Sequence, residues 1–138
     1  MIILDTNVIS ETSTKAPNPR VLAWLDAQNA ETLFLAAVTV GELRYGIAVM
    51  PAGRRRDEYT DWLENLTIPS FSGRILPYDL AATAQYAHLM STARAAGLAI
   101  SPPDGMIAAT ASAAGFAVAT RDTAPFEAAG LPVINPWQ

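Results

Sequence analysis

The sequence predicts an α/β fold in three layers, a mainly parallel central sheet flanked by helices, and three observations carry that prediction. Short, wholly apolar runs recur along the chain, the composition of strands buried on both faces. Segments with apolar residues at helical spacing lie between them. Strand and helix alternate, as parallel crossover units require.

Met1 to Leu4 is the first apolar run and stops at Asp5, which places that acid at the carboxyl end of a buried strand. Asp5, Thr6 and Asn7 then read as a turn satisfying backbone donors, and Ala16 to Pro19 as a loop. Val21 to Gln28 carries Val21, Leu22, Trp24 and Leu25 at helical spacing. Leu33 to Val38 is the second strand, and Thr39 with Glu42 three residues on forms a capping-box pattern for the next helix. That helix carries Leu43, Ile47 and Met50 on one face and stops near Pro51-Ala52-Gly53. Arg54 to Leu66 is helical, with Tyr59, Trp62, Leu63 and Leu66 inward. Ile75-Leu76 is a third strand, and Leu80 to Ala96 is an Ala-rich helix ended by Gly97. Pro102-Pro103-Asp104 opens a helix through Ala114 that Gly115 closes. Phe116 to Ala119 is the fourth strand and Val133-Ile134 a fifth.

At 138 residues the chain has the size of one domain able to bury a core without disulfides or zinc, and a single domain spanning 1–138 is expected. It has no cysteine, which removes thiol catalysis, disulfides and Cys-ligated metals. The single histidine, His88, excludes a two-histidine ribonuclease mechanism within one chain, and its position in the Ala-rich helix reads as structural. The single lysine, Lys15, does not follow a glycine, so there is no phosphate loop of the GxxxxGK type. Carboxylates, hydroxyls and arginine are left to do chemistry. Hydrophobic residues make up 51% and charged residues 16%, so some apolar surface is expected to be covered by a partner. No apolar stretch is long enough to span a membrane, and MIILDTN lacks the basic start of a signal peptide, so a cytoplasmic location is expected. A net charge of -4 argues against coating nucleic acid by bulk electrostatics, but not against an acidic, metal-loaded site that cuts it.

Ligands of open α/β sheets bind beyond the carboxyl ends of the strands, and four acids fall there. Asp5 follows the first strand, Glu42 is expected in the first turn of the helix after the second, Asp104 starts the helix after Pro103, and Asp122 follows the fourth strand. Each has an ordinary reading alone: turn, capping box, helix-dipole partner, or ion pair with Arg121. Together they would repel one another, and such a cluster usually persists by holding a cation. Oxygen ligands without His or Cys suit Mg²⁺ or Mn²⁺, ions that serve phosphodiester hydrolysis.

The segments MIILDTNVISE, AVTVGELRYGI, DGMIAATA, ATRDTAPF and GLPVINPW, taken in order over essentially the whole chain, strongly resemble PIN-domain ribonucleases. The likeness is to the VapC toxins of bacterial toxin–antitoxin pairs, in particular their FitB-like branch. It implies a PIN-like fold and a Mg²⁺- or Mn²⁺-dependent endoribonuclease that leaves 5′-phosphate and 3′-hydroxyl ends. It also implies homodimers and a cognate antitoxin, a small DNA-binding protein whose tail blocks the site. By position, Asp5, Glu42, Asp104 and Asp122 match the family's acidic quartet; Asn7 matches a site-shaping polar residue and Thr120 the hydroxyl before the last acid. One departure is local: many PIN domains have Asn where Asp122 stands and an acid a few residues later, whereas TRDTAPF has none before Glu127.

Arg44 and Arg121 lie within two residues of a proposed ligand and either hold an RNA phosphate or balance nearby carboxylates. Arg54-Arg55-Arg56 is the only basic run; such runs are ordinarily solvated, and an RNA or antitoxin contact is the alternative. Trp24, Trp62, Tyr45, Tyr59 and Tyr86 read as core or interface rather than base-stacking platforms. Two rival enzymes fit worse. An aspartyl-nucleophile phosphatase wants a second Asp where Asn7 stands, and a receiver domain wants an acidic pair and a lysine opposite. The rival from another class is a catalytically silent PIN-like module that acts by binding a protein partner.

Overall fold

A computed structural model describes Met1–Gln138. Its five strands are β1 (Ile2–Leu4), β2 (Leu33–Ala36), β3 (Ile75–Leu76), β4 (Ala117–Ala119) and β5 (Val133–Ile134), in the order β3-β2-β1-β4-β5 with every pairing parallel. Winding runs outward from β1 through β2 and β3, then returns to β4 on the other side of β1, so the switch point lies beside the strand that ends at Asp5.

Alternation along the strands divides the apolar residues between two layers of helix. Ile3, Ala36 and Val118 face a core filled by Leu89, Ile107, Ala108 and Phe126. Those residues belong to α6 (Leu80–Ala95), α7 (Pro102–Ala114) and α8 (Thr123–Ala128). Leu4, Leu33, Leu35 and Ala119 face the opposite core with Val8, Val21, Val40 and Phe71. That layer is built by α1 (Thr6–Glu11), α2 (Pro19–Ala27) and α3 (Ala37–Ala48), with α4 (Arg54–Asp61) running through a π-helical stretch (Trp62–Thr67) into α5 (Ile68–Ser70). No helix is long and apolar enough to cross a membrane.

Several boundaries differ from the sequence expectation. The segment after Asp5 is no mere turn: Thr6–Glu11 forms α1, with Asp5 as its N-cap accepting from the Thr6 N–H at 2.8 Å. β2 ends at Ala36 rather than Val38, because the apolar run continues through the strand-to-helix junction into core positions of α3. Thr39 is therefore a buried residue inside α3 and caps nothing, and Glu42 stands in the second turn, not the first. The helix from Arg54 extends past Leu66 to Ser70 and leaves Leu66 exposed. α8 was not expected from the sequence at all. His88 is exposed on α6.

Candidate functional site

Asp5 is almost wholly buried at the end of β1, and its carboxylate is held by three donors. Oδ1 accepts from the Thr6 N–H, while Oδ2 accepts from the Thr120 hydroxyl at 2.8 Å and from Asn7 Nδ2 at 3.3 Å. Thr120, itself inaccessible to solvent, follows β4 and accepts in turn from Asn7 Nδ2 and from the Asp122 N–H. Asn7 Oδ1 accepts from the Arg121 N–H at 3.2 Å. One short network therefore ties the end of β1 to the end of β4 across the switch point.

Glu42 enters from α3 on the other side. Its Oε1 accepts from the Thr6 hydroxyl at 2.7 Å, and the buried Thr39 hydroxyl lies 3.5 Å from that of Thr6. Asp104 is placed by α7, which starts with Ser101 as N-cap, its hydroxyl accepting from the Asp104 N–H, and with Pro102 and Pro103 in the first turn. The next residue, Gly105, lets α7 pass close to α6: a Cβ there would stand 2.6 Å from Met90 Sδ and 3.1 Å from Tyr86. Asp122 precedes α8 and is exposed, its side chain capping nothing.

The electrostatics are those of uncompensated negative charge. Burial pushes the Asp5 carboxyl up to about 6, against the lowering effect of its Thr120 and Thr6 hydrogen bonds, and the charges of Asp104 and Glu42 push the same way. Burial also raises Asp104, with Asp122 adding to the rise and Ser101 opposing it. No cation relieves the cluster, because the only ion pairs in the molecule are Arg44 with Glu64 and Arg54 with Glu58. As the side chains stand, no three acids close on a common point as a finished metal cage would. The donor set is nonetheless all oxygen and electrostatically connected, which suits a hard, largely hydrated divalent ion.

The two arginines singled out in the sequence stand differently. Arg44 forks onto Glu64 through Nε and Nη2 at 2.8 and 3.0 Å, and holds that carboxyl below its usual range. Arg121 pairs with no acid; its guanidinium stacks over the Trp137 ring at 5.0 Å. Thr6, Ser101 and Trp137 were not singled out from the sequence. A hydroxyl directly after Asp5 and an aromatic residue near the C-terminus were the only hints. Of the aromatic set, Trp24 and Trp62 pack against the core on the α1 face, Tyr86 against the other core and edge-on to Tyr78, whereas Tyr45 is largely exposed.

Comparison with known proteins agrees with this architecture. Residues 2–131 match the PIN domain family. The chain is 58% identical over 138 residues to VapC ribonuclease Y4jK of Sinorhizobium fredii, covering 100% of this chain and 99% of the relative. It is 48% identical over 137 residues to Toxin FitB of Neisseria gonorrhoeae, covering 99% of each. Among solved structures, FitAB bound to an IR36 DNA fragment superposes with a TM-score of 0.95 at 46% identity, covering 100% of this chain and 96% of that one.

Proposed function

The chain belongs to the PIN-domain family, among its VapC and FitB relatives, and from that premise we propose that it is a divalent-metal-dependent endoribonuclease, the toxin of a toxin–antitoxin pair. The observation that carries the reading is the buried Asp5 carboxylate, held by Thr120, Asn7 and the Thr6 N–H beside three further acids that no arginine neutralises.

Asp5, Asp104 and Asp122, with Glu42, are the residues that would hold Mg²⁺ or Mn²⁺. When bound, the ion supplies positive charge against the scissile phosphate and makes water a stronger acid. Thr120 and Asn7 fix the Asp5 carboxylate at the switch point, so its position is set before substrate arrives. The Thr6 hydroxyl occupies one oxygen of Glu42 and leaves the other to accept a proton from the attacking water. Arg121, exposed and without an acidic partner, would hold a substrate phosphate; Arg44 would have to leave Glu64 to do so. Hydrolysis would leave a 5′-phosphate and a 3′-hydroxyl.

The FitAB complex bound to a DNA fragment supports an antitoxin partner that binds DNA; in this reading the partner's tail would cover the site, and the toxin would be a dimer acting in the cytoplasm. The test is cleavage of a panel of structured and single-stranded RNAs by antitoxin-free protein with Mg²⁺, Mn²⁺ or EDTA, beside Asp5→Asn. Cuts that need the ion and vanish in the variant are expected; full activity in Asp5→Asn would overturn the assignment.

A further inference from the structure

On the α1 face, past the end of that helix, the structure has an open cleft of about 1130 Å³ between the segment following α1 and the first turns of α4. One wall carries Arg54 and Arg55 from the basic run, with Tyr59 and Trp62, and the only lysine of the chain, Lys15, stands opposite. Three cations meet a single acid, Glu58, in a molecule that overall has 9 cations and 13 acids. Glu58 is engaged by Arg54 at 2.9 Å, while Arg55 lies 5.7 Å over the Tyr59 ring without an acidic partner.

The second wall is a row of three consecutive hydroxyls whose protons are already committed. Thr12 and Ser13 donate to the Ile9 and Ser10 carbonyls at 2.7 Å each, and Thr14 donates to that of Glu11 at 3.1 Å. These oxygens can only accept from whatever enters the cleft. Cations on one side suit phosphates, and a row of acceptors on the other suits a donor that RNA carries and DNA lacks, the ribose 2′-hydroxyl. Asp5 caps the start of α1 and Thr12 its end, so the cleft begins on the order of 10 Å along the helix from the carboxylates.

We propose that this cleft is the track for the RNA strand on one side of the cleavage point. Lys15 and Arg55 neutralise its phosphates, Tyr59 and Trp62 offer faces to its bases, and the hydroxyl row reads its ribose. The proposal rests on the ribonuclease reading above and names how that activity holds its substrate.

The experiment measures binding, not cutting. In the Asp5→Asn background, fluorescence anisotropy is recorded with a labelled single-stranded RNA of about ten nucleotides, within the range of one binding groove, and with DNA of the same sequence. Lys15→Ala with Arg55→Ala should weaken RNA binding by about tenfold or more and flatten the log–log salt dependence by about 1.4, two phosphates' worth on a single strand. Ser13→Ala with Thr14→Val should narrow the preference for RNA over DNA severalfold. Unchanged affinity and salt slope in the first variant would overturn the proposal, as would an unchanged preference in the second. So would loss of affinity for the antitoxin with RNA affinity intact, which would make the cleft a protein groove. Thermal melting confirms folding, and cleavage by the unsubstituted protein, run in parallel, tests the ribonuclease reading separately.

Discussion

The Thr120 hydroxyl donates to Asp5 Oδ2 at 2.8 Å across 115 residues of sequence, joining the ends of the two strands that flank the switch point. This bond opposes burial: it lowers the Asp5 pKa where desolvation raises it. Thr120→Val keeps the shape and removes the donor, so the Asp5 proton is held still more tightly. In cleavage assays at fixed pH near 6, the divalent ion concentration for half-maximal activity should rise severalfold, with the deficit closing at higher pH. An identical ion requirement across the pH series would show that Thr120 does not tune Asp5.

The same burial makes Asp5 a liability for the ion-free fold. Its folded-state value of about 6 lies above the reference 3.8, so the folded chain holds the proton more tightly than the unfolded one. Stability from this group is greatest below 3.8 and declines as pH rises through about 6, staying low above it. Asp104, also raised, acts in the same direction. Asp5→Asn should therefore stabilise the ion-free protein at neutral pH by on the order of 1–3 kcal/mol while abolishing cleavage, with the gain fading toward pH 4. Urea unfolding of both proteins in EDTA across that range checks it.

How far this site is legible in the sequence depends on where helices and strands meet. Asp5 and Asp122 can be placed because an apolar strand breaks sharply at a polar residue. Asp104 can be placed because Pro102-Pro103 marks a helix start independently of packing, while the Ser101 cap emerges only in the structure. α1 is hidden: Thr6-Asn7-Val8-Ile9-Ser10 are weak helix formers, and the helix exists because Asp5 caps it and Val8 and Ile9 reach the core. Glu42 is misplaced by one turn for a related reason. Thr39 looks like a cap by spacing, but tertiary packing starts α3 three residues earlier, with Ala36 at the cap position, and turns that hydroxyl inward toward Thr6. The pairing of Arg44 with Glu64 and the stacking of Arg121 on Trp137 join residues distant in the chain, and no local pattern announces either.

A cation that settles among Asp5, Asp104 and Asp122 relieves repulsion the protein does not otherwise compensate. Mg²⁺ or Mn²⁺ should raise the melting temperature of the unsubstituted protein, with the rise growing as ion concentration exceeds its dissociation constant. At a hundredfold excess the stabilisation is about 2.7 kcal/mol. Asp5→Asn and Asp104→Asn should each lose most of it. Differential scanning calorimetry with each ion and with EDTA decides the point: an equal rise in both variants would place the ion elsewhere on the surface.

Arg121 is the one cation beside the cluster that leaves the acids alone, and Trp137 explains how. Stacking at 5.0 Å on Trp137, with the Arg121 backbone N–H tied to Asn7, leaves the guanidinium donors unspent. Arg121→Ala should raise KM for RNA by about tenfold with a smaller change in kcat, and should flatten the salt dependence of kcat/KM by about 0.7, one phosphate's worth. Trp137→Phe preserves a ring face and should stay close to the parent, whereas Trp137→Leu keeps the apolar packing but frees the guanidinium, and should reproduce part of the Arg121→Ala defect in KM. Since Trp137 also packs against the core on the α1 face, the melting temperature of Trp137→Leu separates lost stability from lost positioning. A parent-like KM in a folded Trp137→Leu would show that Arg121 needs no platform.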